Sequence, residues 1–577
     1  MTDSGRITGI GAFDRLAACL SRFARPARGF ALPPEPRGLG SFARGRQLSG
    51  GTFLLGGALV AAPGRAPWDI APPTQAFAEA LHAFSWLDDL AAVADLPAQV
   101  RAQDWTFDWI GRYATGARTG TGPGWRPDLT GARLMRMIHH GPFLLENRPG
   151  ADRAAYFAAL GAQTAFLARR APRVAGTPAR AVALAALIRA SVSLERMGRH
   201  AAPAADALAR IAGQEVGADG AIASRNPEEL LDLLSLLTRS AEGLAEAGRP
   251  VPGPITEAIA RIAPTLRLLR LADGGLARFQ GGSAGAAGRL DRALADAGGA
   301  HKTPRGPAMG YLRLSGGRST LVMDVAAPGR GIEGAHASTL AFEMTSGRRP
   351  LIVNCGSGRT FGPDWERAGR ATPLQSTLGI RGVSSSRLKR GGTSAPGTPF
   401  AECPAQVWAQ DESTLDGARV LAGHDGYGPT HGLSHLRELV LSLDGRRLAG
   451  EDTLGALTAD ERDLRDRLRA QGASPVTFDI RFHLHPDVDA ALDLGGTAVS
   501  LALKSGEIWI FRHDGVGRLA LEPSVYFDPA RPEPRPSRQI VLTAKVEEQA
   551  TQLGWTLAKA QDTPTAIRDI APDELPG

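Results

Sequence analysis

The hydrophobic period of this chain changes once, inside a Gly/Ala-rich stretch at 280–309, QGGSAGAAGRLDRALADAGGAHKTPRGPAM. From about residue 75 to 272 apolar residues recur at i, i+3, i+4 and i+7. AAYFAALGAQTAFLARRA, ARAVALAALIRASVSLERMG, EELLDLLSLLTRSAEGLAEAG and ITEAIARIAPTLRLLRLA carry this helical stripe over 18 to 21 residues each. Pro252 and Pro254 precede the last segment, and Pro264 is expected to kink or interrupt it. Beyond the stretch the period is two: YLRLSG, STLVMDVA, STLAFEM, PLIVNCG, QVWAQD, LRELVLSLDG, RLAGEDTL, VTFDIRFHLHP, AVSLALKSG, EIWIFRHDG, LALEPSVYF and RQIVLTAKV. A dozen short strands between Gly, Asp and Pro turns fit a β-sandwich or supersandwich better than a small barrel. At 577 residues the chain also exceeds one ordinary core. The pattern therefore predicts a multidomain α+β protein, helical first and antiparallel β second. Successive helical hairpins suit an incomplete α/α toroid, and a plain bundle fits the period equally well. The expected domains are an N-terminal extension over 1–74 packing on the helical domain, the helical domain over 75–300, and the sandwich over 301–577.

The net charge of +7 and pI near 9.7 come mostly from arginine, which an Arg-rich genomic composition explains as well as a polyanion-binding groove does. With no helix-turn-helix, zinc-finger spacing or RNP-type motif, nucleic acid is not the expected polyanion. Cys19, Cys355 and Cys403 are odd in number and far apart, which excludes a disulfide framework and a cysteine-ligated metal. The first 30 residues lack a continuous apolar core and read as an amphipathic helix. TFLLGGALVAAPG at 52–64 is too short and too late for a signal peptide or a membrane span. These features predict a cytoplasmic protein without a transmembrane segment, with a periplasmic or envelope-associated place as the alternative. No P-loop, GxSxG, HExxH or dinucleotide fingerprint occurs.

Residues 334–356, GAHASTLAFEMTSGRRPLIVNCG, place a histidine before one apolar strand and Asn-Cys-Gly after the next, a polar group at each end of a hairpin. This block resembles the first hairpin of the C-terminal domain of the heparinase II/III family of polysaccharide lyases. The resemblance extends through LHAFSWLDDL (81–90), WRPDLTGARLMRMIHHGPFLL (125–145), ASRNPEELLDLL (223–234), DGGLARFQG (273–281), GYLRL (310–314), RATPLQSTL (370–378), HLRELVLS (435–442) and RFHLHP (481–486). It implies a toroid followed by a sandwich, with the active cleft between them. It also implies a carbon–oxygen lyase that cleaves a uronic-acid glycan, such as a glycosaminoglycan, by β-elimination. The alternative is a non-catalytic relative binding an anionic glycan or a cell-envelope partner. The oligomeric state is not legible.

β-Elimination needs a group that offsets the substrate carboxylate, a base for the C5 proton and an acid for the leaving oxygen. By the resemblance Asn226 takes the first role, with Arg225 beside it in SRNP expected to bind substrate. By its residues alone, Asn-Pro-Glu-Glu is a helix start with Asn226 as cap. Many family members carry a tyrosine where this chain has Phe279, and phenylalanine transfers no proton; of the five tyrosines, Tyr311 and Tyr427, the latter read as an exposed loop residue, are the candidate replacements. His336 matches the cleft-facing histidine, or is a hydrogen-bonded strand-end residue. The zinc positions of relatives read His336, Asn354 and Gln375 here. Two amides are poor ligands, so neither zinc nor any other cofactor is expected. Asn354 and Gln375 are instead expected to contact sugar or to bond His336. His435 and Arg437 share one strand face, where Arg437 either holds a substrate carboxylate or forms a buried ion pair. His483, His485 and Arg481 read as a polar ladder. Trp86, Trp105, Trp109 and Trp125 read mainly as core.

Overall fold

The computed structural model describes residues 10–34, 40–115, 118–299, 303–388 and 397–560. They divide into two compact units. One contains the residues up to Gly217 and Asp232–Arg261, the other Ala218–Leu231 and the chain from Ile262 onward.

The first unit is helical, with long elements at Leu96–Trp109, Pro127–His139, Gly150–Arg170, Thr177–Ser193 and Ala201–Glu215. Trp86, Trp105, Trp109 and Trp125 are all buried. Arg133 lies 4.0 Å over the Trp109 ring and donates to Gln163 and to the carbonyls of His82 and Gly124. The tryptophans are therefore core, packed around one enclosed cation whose donors are nearly all used. The 52–64 run is a β-hairpin, Thr52–Leu55 paired with Ala58–Ala61. Its turn is Gly56-Gly57, both at positive φ, as a two-residue turn matching strand twist requires. The helix Gly253–Leu269 runs through Pro264 without interruption.

The second unit is an antiparallel sandwich. In one eight-stranded sheet the order is Arg518–Tyr526, Arg535–Lys545, Thr477–Leu484, Arg349–Val353, Phe342–Ser346, Ser319–Asp324 and Tyr311–Gly316, with Leu378–Ile380 also pairing to Thr477–Leu484. In the other it is Asp489–Asp493, Ala498–Ala502, Ile508–His513, Ala550–Lys559, Arg447–Gly455, Leu433–Ser442, Gly417–Tyr427 and Val407–Ser413. The inner faces interdigitate: Phe342 stacks on Trp555 at 6.0 Å, and Phe482 meets Phe511 at 5.0 Å and Trp555 at 4.7 Å. The fold is thus a toroid-type helical part followed by an antiparallel β-sandwich.

Three details alter the sequence reading. STLAFEM becomes strand only at Phe342, because Leu340 adopts φ 63° and the preceding residues form a turn. Gly417–Tyr427 is a full strand whose glycines hide its period. A β-carbon at Gly423 would sit 2.9 Å from the Trp408 ring, so only glycine lets that indole lie across the sheet. Helices Pro363–Arg370 and Ala459–Ala470 interrupt the β half.

Candidate functional site

Arg225 turns into the helix Pro227–Glu246 through a left-handed backbone, φ 55°. Asn226 Oδ1 then accepts from the backbone N–H of Glu228 at 2.9 Å and of Glu229 at 3.3 Å, with Pro227 at the first helical position. Asn226 is the cap that its sequence context predicts. Its amide nitrogen points elsewhere. A β-carbon at Gly281, itself at φ 85°, would lie 3.8 Å from Asn226 Nδ2 and 3.9 Å from His336 Nε2. Asn226 and His336 therefore flank one glycine, which is the convergence that an elimination site needs.

The rest of that neighbourhood is scaffold. Arg225 is buried and donates to the carbonyls of Met309, Gly310 and Ala327 at 2.8–3.0 Å, and its guanidinium pairs with the Asp324 carboxylate. With its donors spent on the protein, Arg225 cannot be the substrate-binding residue the sequence suggested. Asp324 also accepts from Ser338 Oγ at 2.7 Å and Gln280 Nε2 at 3.1 Å, while Gln280 Oε1 accepts from the His336 backbone at 2.9 Å. Asp324 and Gln280 were missed because no short-range motif marks them; Gln280 beside Phe279 was the nearest signal.

His336 is only 2% exposed, not open as the resemblance implies. Burial, and then the charge of Arg370, pushes its pKa down to about 3, so the ring is neutral at pH 7. Its Nδ1 has no hydrogen-bond partner among the described residues. Phe279 is fully buried with its ring 5.1 Å from that of Tyr311. Tyr311 donates its hydroxyl to the Arg225 carbonyl at 2.6 Å, and burial raises its pKa well above the ordinary phenol value. Tyr427 is fully buried at the end of its strand and donates to the Leu378 carbonyl at 3.1 Å. This corrects the exposed-loop reading. Both phenols are tied to backbone.

Asn354 and Gln375 are buried as well. Asn354 Oδ1 accepts from the Ser376 N–H at 2.8 Å and Gln375 Nε2 donates to the Gly369 carbonyl at 2.8 Å; Asn354 Nδ2 and Gln375 Oε1 have no partner among the described residues. Contact with a sugar is excluded at both by burial. One imidazole and two amides already engaged by backbone do not fit zinc.

His435 and Arg437 meet on Asp452 inside the sandwich. Arg437 Nε lies 2.7 Å and His435 Nε2 2.8 Å from Asp452 Oδ1, and Trp555 Nε1 donates to Oδ2 at 2.9 Å. Burial opposes the Asp452 charge, but Arg437 and His435 outweigh it and hold the carboxyl below its usual range. All three ionisable side chains are fully buried, so Arg437 and His435 are structural and not substrate-binding. His483 Nε2 bonds the Pro373 carbonyl at 3.0 Å, leaving Nδ1 as acceptor for Ser524 Oγ at 2.8 Å and the Cys355 thiol at 3.4 Å. Burial pushes Cys355 up to about 12 and His483 down to about 3, so both are neutral and no thiolate nucleophile forms.

Residues 299–556 match the family described as heparinase II/III-like, C-terminal. FtsZ-localized protein C of Caulobacter vibrioides is 31% identical over 549 residues, covering 93% of this chain and 91% of that protein. Among solved structures, a heparan sulfate lyase HepC mutant from Pedobacter heparinus aligns over 96% of this chain and 90% of its own, at TM-score 0.56 and 14% identity. Heparinase III aligns over 97% and 86%, at TM-score 0.64 and 11% identity. Identities this low establish shared fold and leave the chemistry to the residues.

Proposed function

Because this chain belongs to the heparinase II/III-like family, we propose that it keeps the family's fold without its elimination chemistry, as a non-catalytic protein that binds an anionic glycan or a cell-envelope partner. The observation that carries this is that neither candidate replacement for the family's phenol is free. Phe279 stands where relatives carry tyrosine, and the hydroxyls of Tyr311 and Tyr427 are spent on carbonyls. An imidazole with its pKa near 3 is neutral but a weak base. The relative named for its localisation with FtsZ supports a role at an FtsZ-containing assembly.

The test is to incubate the purified protein with heparan, chondroitin, hyaluronan and alginate-type substrates and follow the ultraviolet absorbance of unsaturated ends. No product is expected, while at least one acidic glycan binds with salt-sensitive affinity. Sustained product formation would refute the proposal. A fluorescent fusion that ignores FtsZ structures in cells would remove the role at an FtsZ-containing assembly.

The lyase reading has one observation in its favour, the approach of Asn226 and His336 to Gly281. On that reading His336→Ala lowers turnover by about 10²–10⁴-fold, the usual size of a general acid–base contribution.

A further inference from the structure

Arg370 closes the helix Pro363–Arg370 and is 5% exposed. Its Nε donates to the Ala335 carbonyl at 2.9 Å and its Nη2 to the Thr398 carbonyl at 2.7 Å, while the guanidinium carbon lies 4.8 Å over the Phe400 ring. Three other buried arginines of this unit have a carboxylate, Arg225 with Asp324, Arg278 with Glu343 and Arg437 with Asp452, whereas Arg465, like Arg370, has none within ion-pair distance among the described residues. Arg370 has no carboxylate within ion-pair distance among the described residues, and Nη1 makes no hydrogen bond there. Glu366, one turn earlier on the same helix, is the acid that acts on it, at longer range than an ion pair, so the buried guanidinium is only partly compensated. Arg370 lines a cavity of about 990 Å³ that reaches Arg387, Ser384, Ser386, Phe400, Thr430 and His431. The charge of Arg387 is already matched by Glu402 at 2.7 Å, and Glu366 is the other acid in the wall.

The remaining polar wall is made of Arg367, hydroxyls and an imidazole. Ser386 is buried, with only the weak thiol of Cys403 beside its hydroxyl. Ser384 Oγ accepts from the Thr372 N–H at 3.1 Å, so its own proton is free to be donated. His431 Nδ1 is 2.8 Å from Thr430 Oγ1, and no hydrogen bond among the described residues uses Nε2. The volume stands at the upper end of small-molecule sites and far exceeds what a bare inorganic anion fills.

We propose that this cavity is the ligand site of the protein and takes an acidic saccharide, its carboxylate or sulfate on Arg370 and its hydroxyls on Ser384, Ser386, Thr430 and His431. This rests on the binding reading above and gives it a location and a ligand class. No bond is made or broken.

Isothermal titration of the full-length protein tests it with four probes: an unsulfated glucuronate-containing tetrasaccharide, its sulfated form, its carboxyl-reduced neutral form, and inorganic sulfate. The acidic tetrasaccharides bind, and the neutral form binds at least about tenfold more weakly, as loss of one charge-assisted contact predicts. Arg370→Gln weakens binding by about tenfold, and Ser386→Ala and His431→Ala by about threefold each. Both smaller variants keep the thermal midpoint, so the test survives if Arg370→Gln fails to fold. Wild-type binding that all the variants retain would place the glycan elsewhere and overturn the cavity assignment while leaving the binding reading intact. Sulfate binding as tight as that of the tetrasaccharides would overturn the saccharide assignment. Failure of every acidic saccharide to bind the wild type would overturn both.

Discussion

One oxygen separates phenylalanine from tyrosine, and the resemblance to the lyases expects a tyrosine where this chain has Phe279. Supplying that oxygen is a direct test at the residue scale. In the buried pocket against Tyr311 a new hydroxyl would meet an aromatic ring and a phenol already committed to Arg225. Phe279→Tyr is therefore expected to yield no unsaturated product from any acidic glycan. Activity gained by this one change would show that the rest of the lyase machinery is intact. Asn226 makes a second prediction. Its carbonyl oxygen holds the Glu228 and Glu229 N–H groups, so Asn226→Ala should cost about 1 kcal/mol of stability by urea titration, and Asn226→Asp much less. Equal losses for the two variants would mean that the amide nitrogen, and not the cap, supplies the stability.

At the scale of elements, the two sheets are joined by a polar knot as well as by apolar faces. Arg437 and His435 lie on the Leu433–Ser442 strand, Asp452 and Trp555 on neighbouring strands of the same sheet. Arg437 Nη1 reaches the carbonyls of Leu340 and Ser376 on loops of the opposite sheet, at 2.8 and 3.0 Å. Removing the carboxylate strands a buried guanidinium. Asp452→Ala should therefore destabilise by about 3–5 kcal/mol, read as a lower urea midpoint. The double change Arg437→Leu with Asp452→Leu should recover a large part of that loss, because the unpaired charge goes with its partner. A double variant as unstable as the single one would mean that the carbonyl contacts of Arg437 matter more than its charge balance.

Across the whole molecule, buried neutral histidines set the response to acid. His82 in the helical unit and His336 and His483 in the sandwich unit are each pushed down to about 3, by burial first and then by nearby arginines. In the unfolded chain they titrate near 6.5. Between those values the unfolded state binds protons that the folded state refuses, so stability is full above pH 6.5 and falls as the pH drops toward 3. Each histidine contributes a slope of about 1.4 kcal/mol per pH unit in that window. Chemical denaturation from pH 8 to 4 should show a flat region and then a steep loss below about pH 6.5. A midpoint that stays level to pH 5 would mean these rings accept protons in the folded protein.

The chain's two periods, its capped helix start at Asn226 and its tryptophan core were legible because each depends on neighbours a few residues away. So was the departure at Phe279, since an absent hydroxyl is absent in any fold. The strand Gly417–Tyr427 was not legible. Gly423 makes sense only under the Trp408 ring of the adjacent strand, and reading the segment as loop left Tyr427 wrongly exposed. Arg225, Arg437, His336, Asn354 and Gln375 looked like a ligand-facing set because polarity at the ends of strands and helices is visible in sequence. Whether such groups meet solvent or a buried counter-charge is set by residues far along the chain: Asp324 for Arg225, Gln280 and Arg370 around His336. The order of amino acids determined which groups were present and which elements carried them. Packing between distant segments decided which charges were already answered, and left Arg370 in its cavity without an ion pair among the described residues.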